Sequence, residues 1–78
     1  MIILNSTGEI AFNSCDFSYA YIEMDKECYT TYLVIILKNK EKLWFEESPG
    51  CVPSAVEELT TVMKNIADYI NLAILETG

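Results

Sequence analysis

Between Tyr29 and Leu37 the chain reads Tyr-Thr-Thr-Tyr-Leu-Val-Ile-Ile-Leu, and an extended reading leaves both of its faces apolar. Tyr32, Val34 and Ile36 fall on one side, and Leu33, Ile35 and Leu37 on the other. Side chains this rich in β-branches and rings suit a pleated, buried surface. A strand apolar on both sides belongs in the middle of a sheet, with something covering each face. The rest of the chain must supply the flanking strands and the covers.

The flanks read accordingly. Ile2 to Leu4 is a short apolar run, Ser6-Thr7-Gly8-Glu9 has turn chemistry, and Ile10-Ala11-Phe12 returns, which predicts an opening hairpin. Phe17 to Met24 alternates, with Phe17, Tyr19 and Tyr21 on one face and Ala20, Ile22 and Met24 on the other. Asp25-Lys26-Glu27 is a polar tip. Asn39-Lys40-Glu41 makes a turn into Leu43-Trp44-Phe45, which ends at Glu46-Glu47, and Ser48-Pro49-Gly50 closes the strand region.

From Ser54 the period changes to helical. Val56, Leu59, Met63, Ile66, Ala67, Ile70 and Ile74 recur at spacings of three and four, with polar residues between them. Ser54 and Glu57 stand in capping-box spacing. Pro53 precedes that cap, and Glu57-Glu58 load the positive end of the helix dipole. The expected fold is a single α+β domain over residues 1–78. It has an antiparallel sheet of four to five strands packed against one long C-terminal amphipathic helix of about five turns.

One helix covers one face of a sheet, so the Tyr32/Val34/Ile36 face or its alternate needs a second cover. Three candidates stand: the opening hairpin folded over it, a second copy of the chain, or an apolar partner. Nine aromatic residues are more than so short a chain is expected to hide, which also points to a partner surface or a dimer.

Charge narrows the function classes. Twelve acidic residues stand against five lysines, with no arginine or histidine, so the net charge is −7 on 78 residues. Such a chain repels nucleic acid and attracts basic surfaces. Without histidine there is no imidazole base for Cys15, Cys28 or Cys51. These three cysteines form no C-x-x-C pair and read as free thiols in a reducing cytoplasm. No metal or cofactor is expected. The N-terminus lacks a basic segment and signal-peptide length, and the longest apolar run, Tyr32 to Leu37, is too short to span a bilayer. Asn5-Ser6-Thr7 matches a glycosylation acceptor only by chance in such a compartment.

The candidate site is a partner-binding surface. Glu23, Asp25 and Glu27 fall at alternate positions, which in extended chain sets them on one side at roughly 6–7 Å spacing, near that of successive phosphates. With Glu46 and Glu47 they could face a groove built for DNA or RNA, or they could be a solvated loop tip that keeps a sheet edge soluble. A glycosidase-like carboxylate pair has no specific support, and a Ca²⁺ loop lacks its glycine. Trp44, Tyr21 and Tyr32 would add desolvated contact area. Tyr19, Tyr21, Tyr29 and Tyr32 resemble a base-stacking platform in composition, but the neighbouring charges are carboxylates rather than the cations phosphates require.

The segment from Thr30 to Asn65 carries a family likeness. It holds the strand Thr31 to Leu37, the Asn39-Lys40-Glu41 turn, Leu43-Trp44-Phe45-Glu46-Glu47 and the helical Ser54 to Asn65. In architecture and charge it resembles small phage-encoded anti-CRISPR proteins. The resemblance implies a stoichiometric, non-enzymatic inhibitor that occupies a nucleic-acid-binding or PAM-reading surface of a CRISPR effector in the host cytoplasm. Lysine without arginine fits a low-GC phage source. The expected partner is a protein with a basic surface, with no direct nucleic-acid or membrane binding. The alternative is a small homodimeric structural or adaptor module whose acidic surface serves solubility.

Overall fold

The computed structural model describes residues 1–77, and the side chains of residues 1–71. In chain order the elements are β1 (Ile2–Leu4), β2 (Ala11–Asn13), a 3-10 turn at Ser14–Asp16, β3 (Phe17–Asp25), β4 (Thr30–Leu37), β5 (Lys42–Pro49) and α1 (Pro53–Thr77). The class is α+β, as expected. The five strands do not form one sheet, however. β3, β4 and β5 make an antiparallel sheet with β4 at its centre, while β1 and β2 pair only with each other. The separation has a local cause. The Asn13 side chain accepts a hydrogen bond from the Cys15 N–H and starts the 3-10 turn, so the chain leaves the hairpin before β3 begins.

The hairpin does not cover the face left open by the helix. Ile3 and Phe12 join Leu33, Ile35, Leu37, Phe45, Leu59, Ile66 and Ile70 in one buried cluster. Helix and hairpin thus share the Leu33/Ile35/Leu37 face, and Phe12 meets Phe45 edge-on at 5.4 Å. Of the three candidate covers for the other face, the opening hairpin is ruled out. The sheet is wider than one helix, and the short hairpin fills the remainder of the same side.

Two bulges reset side-chain direction. A register shift between Phe17 and Tyr19 leaves Ser18 as the extra residue, and Phe17 turns to the core beside Phe12 instead of joining Tyr19 and Tyr21. A second shift lies opposite Leu33 and Val34, whose partners are Glu46 and Trp44, so Phe45 is extra. A bulge puts two residues opposite one and bends the strand. Phe45 becomes fully buried, and Trp44 and Glu47, three positions apart, come onto the same face.

The helix starts differently from its expected cap. Pro53 is its first residue, and the Val52 carbonyl accepts from the N–H groups of Ala55 and Val56 at 3.1 and 3.3 Å. Proline suits that first position because its fixed φ is already helical and its missing N–H has no intrahelical partner to lose. Ser54 is therefore inside the helix, the Ser54–Glu57 box does not form, and no acidic residue lies in the first turn. The helix is 25 residues long, longer than the expected five turns. Ala55, Leu59, Ile66 and Ile70 form its buried stripe, with Val62 and Met63 partly buried, whereas Ala67 is exposed. The expected core position Ile74 lies outside the residues whose side chains are described. Helix and sheet are tied by Ser48, whose hydroxyl donates to Glu58 Oε2 at 3.2 Å. Fully buried Thr31 donates to the Gly50 carbonyl at 2.7 Å.

Candidate functional site: an uncovered sheet face

Strand alternation and the register place four rows of side chains on the side of the sheet opposite the helix. Tyr19, Ile36 and Lys42 form the first row; Tyr21, Val34 and Trp44 the second. Glu23, Tyr32 and Glu47 form the third, and Asp25, Thr30 and Pro49 the fourth. Val34 is 0% exposed although no helix or hairpin lies over it, because larger side chains flank it in its row. The rings around it carry the exposure instead: Trp44 is 49% exposed and Tyr19 is 55%. Tyr19 and Tyr21 are stacked, with centroids 6.2 Å apart at 25°.

One cation sits within this surface. The Lys42 ammonium lies 4.8 Å from the centroid of the Trp44 ring and 3.6 Å from Glu23 Oε1. The Tyr21 hydroxyl is the largest influence holding Lys42 above its ordinary pKa; burial opposes it and Glu23 adds to it. The Tyr32 phenol is also pushed up, mainly by desolvation, with the charges of Cys28, Glu47 and Asp25 contributing.

The expected acidic cluster is divided among separate tasks. Glu23 pairs with Lys42. Asp25 caps the β3–β4 turn, its Oδ1 accepting from the N–H groups of Glu27 at 3.0 Å and Cys28 at 3.2 Å. Those bonds hold its carboxyl below the usual range, the Cys28 backbone N–H foremost, and Asp25 in turn raises the Cys28 thiol. Glu46 lies off this face, at the β5 edge, where it binds Ser6. Only Glu27, exposed in the turn, and Glu47, beside Tyr32, have no described ion pair or side-chain hydrogen bond. The structure gathers Glu23, Glu47, Tyr21, Tyr32 and Trp44 onto one face, and sets Asp25 and Glu27 at its end.

One member of the surface, Lys42, was not among the expected site residues. It stands two positions before Trp44, so strand alternation was the signal that could have found it, as it placed Tyr19 on the face of Tyr21. Tyr29, offered for a stacking platform, is in the turn with φ 50° and not in the sheet.

Beside the face, the β1–β2 loop approaches β5 and leaves an open groove of about 620 Å³ lined by Ser6, Thr7, Ile10, Tyr32, Trp44 and Glu47 among others. Among the described residues, no group of three or more cysteine or acidic side chains is placed to hold a metal ion. No helix among them is long and apolar enough to cross a membrane. The fold and surface define a small α+β protein with one bare, ring-rich sheet face. Comparison with protein-family models, with curated proteins and with solved structures finds no match.

Proposed function

We propose that the chain is a non-enzymatic protein-binding module whose contact surface is the uncovered face bearing Tyr19, Tyr21, Tyr32 and Trp44. The observation that carries this is the half-exposed Trp44 and Tyr19 on a sheet whose described helix and hairpin both pack on the other side. Tryptophan and tyrosine supply large contact area with a polar handle and are enriched where partners anchor. The partner is a protein because base stacking needs cations to hold phosphates, and the face's single cation, Lys42, is already engaged by Glu23 and Trp44.

The inhibitor expected from the anti-CRISPR resemblance would use the same face, with Glu47 and Glu27 meeting lysine or arginine at its acidic end. Since Glu23 and Glu46 are occupied within the chain, apolar contact carries more of this binding than charge competition does. The test is capture from host lysate with three baits: the natural chain, Trp44→Ala with Tyr19→Ala, and Glu27→Lys with Glu47→Lys. The expected result is a partner kept at high salt, kept by the charge-reversed bait and lost by the aromatic double variant. A partner that instead follows salt and the two glutamates would overturn this reading in favour of a charge decoy.

A further inference from the structure

We infer that the free edge of β3 is a self-association site, and that a second copy of this chain pairs with it antiparallel about Ile22 to form one continuous six-stranded sheet. This inference does not depend on what occupies the aromatic face.

The two edges of the sheet are built differently. β5 is guarded: it carries Lys42, the bulge at Phe45 and Pro49, and the β1–β2 loop lies against it through Ser6 and Glu46. These are the devices that keep an edge from pairing with another chain. β3 is nine residues long, Phe-Ser-Tyr-Ala-Tyr-Ile-Glu-Met-Asp, with no lysine or proline, and its one irregularity, Ser18, is near its start. Among the described residues no strand pairs with its outer side.

The groups it offers follow from the register. Lys38 N–H donates to the Asp16 carbonyl, and Gly50 N–H donates to the Tyr29 carbonyl. Those bonds phase the ladder so that Tyr19, Tyr21, Glu23 and Asp25 turn their backbone groups to β4, while Ala20, Ile22 and Met24 turn theirs outward. An antiparallel pair centred on Ile22 joins Ile22 to Ile22 and Ala20 to Met24, so all three outward residues find partners.

Side chains agree with that centre on both faces. On the aromatic side it sets Tyr21 opposite Glu23 and Tyr19 opposite Asp25, so each carboxylate meets a phenol and no like charges meet. A centre one residue later would oppose Glu23 to Glu23. On the helix side, Met24 is apolar and 50% exposed. The residue opposite it, Ala20, lines an apolar cleft of about 280 Å³ with Phe17, Ile35, Met63, Ile66 and Ala67. The same two-fold axis that pairs the backbones therefore delivers each Met24 to the other copy's cleft. A single edge pair with two seated methionines is a small interface beside the roughly 1,200–2,000 Å² of stable complexes, so the dimer is reversible. Its consequence is geometric: the axis stands perpendicular to the sheet and puts both aromatic faces on one side.

Sedimentation velocity over a dilution series tests this, together with amide exchange on the natural chain. The expected result is a concentration-dependent dimer in which the Ala20, Ile22 and Met24 amides are protected and lose protection on dilution. Met24→Lys should be monomeric, with the melting temperature that the natural chain has at dilutions where it too is monomeric; Met24→Leu should be dimeric, and Trp44→Ala still dimeric. A natural chain that stays monomeric throughout would overturn the proposal. So would a dimer that survives Met24→Lys with those three amides exchanging freely, or one that dissolves with Trp44→Ala alone. Failure of the natural chain to capture any partner, with the dimer intact, would count against the proposed function and leave this inference standing.

Discussion

Glu46 reaches across from β5 to Ser6, where one carboxylate oxygen accepts both the backbone N–H at 2.8 Å and the hydroxyl at 3.0 Å. The two residues are forty positions apart, and this is the described side-chain hydrogen bond that ties the β1–β2 loop to the main sheet. Alternation sets Glu46 on the opposite face from Glu47, and the bulge at Phe45 brings Trp44 rather than Glu46 onto the face of Glu47.

Glu46→Ala should therefore loosen the hairpin and lower stability by about 1 kcal/mol, the usual loss for partly exposed hydrogen bonds. Glu46→Gln keeps an acceptor and should lose less, and Glu47→Ala should be close to neutral. Urea unfolding midpoints at equal m-values measure all three. Equal effects at Glu46 and Glu47 would remove the distinction drawn between them.

The start of α1 offers a gain. Val52 occupies the capping position with a side chain that cannot accept a hydrogen bond. Val52→Asp should stabilise the chain by about 1 kcal/mol, whereas Ser54→Ala should change it little because Ser54 is already helical. Thermal unfolding of both variants checks the assignment. A large loss with Ser54→Ala would restore the capping box expected from spacing.

Two non-glycine residues hold left-handed backbone: Tyr29 at φ 50° and Lys40 at φ 70°. Lys40 closes the β4–β5 turn, its N–H donating to the Leu37 carbonyl at 2.9 Å. An L-residue there bears a steric cost of roughly 1–2 kcal/mol, which glycine escapes while losing more chain entropy. Lys40→Gly should thus gain about 0.5 kcal/mol net, and Lys40→Val should lose more than that. A stabilised valine variant would contradict the observed turn.

Turn and face differ in their pH response. Asp25 is held low, first by the Cys28 N–H, so its support is complete above the unfolded value of about 3.9 and disappears as pH falls through the folded value. Lys42 is held high, so its support is complete below about 10.4 and disappears as pH rises through the folded value. Stability should be flat between those limits on account of these two groups. Asp25→Asn weakens the carboxylate hydrogen bond that chiefly raises the Cys28 thiol and removes the charge that adds to it, so Cys28 should alkylate faster in that variant at pH 8. An unchanged rate, read by peptide mass spectrometry, would disprove the coupling.

Much of the fold was legible in the chain. Apolar residues on both sides of Tyr32 to Leu37 put β4 at the centre of a sheet, and three-and-four spacing after Ser54 marked the helix. Both are short-range periodicities, which burial imposes on the sequence itself. Bulges leave no comparable trace, because Ser18 and Phe45 differ from their neighbours only in what pairs across from them. That is why Phe17 was expected on the face of Tyr19 and Tyr21. Of the expected carboxylates only Glu46 lies off the face, and two are engaged within the chain, because spacing along a strand says nothing of Lys42 on another strand, which pairs with Glu23, or of Ser6 in a distant loop, which binds Glu46.

Composition and periodicity alone determined an acidic α+β chain with a doubly apolar central strand and an amphipathic helix. Tertiary structure alone decided which side of that strand stays bare, because helix and hairpin compete for one face through contacts between residues far apart in sequence. It also decided which charges on the bare side are engaged, since Glu23 meets Lys42 from another strand while Glu47 beside Tyr32 has no described partner.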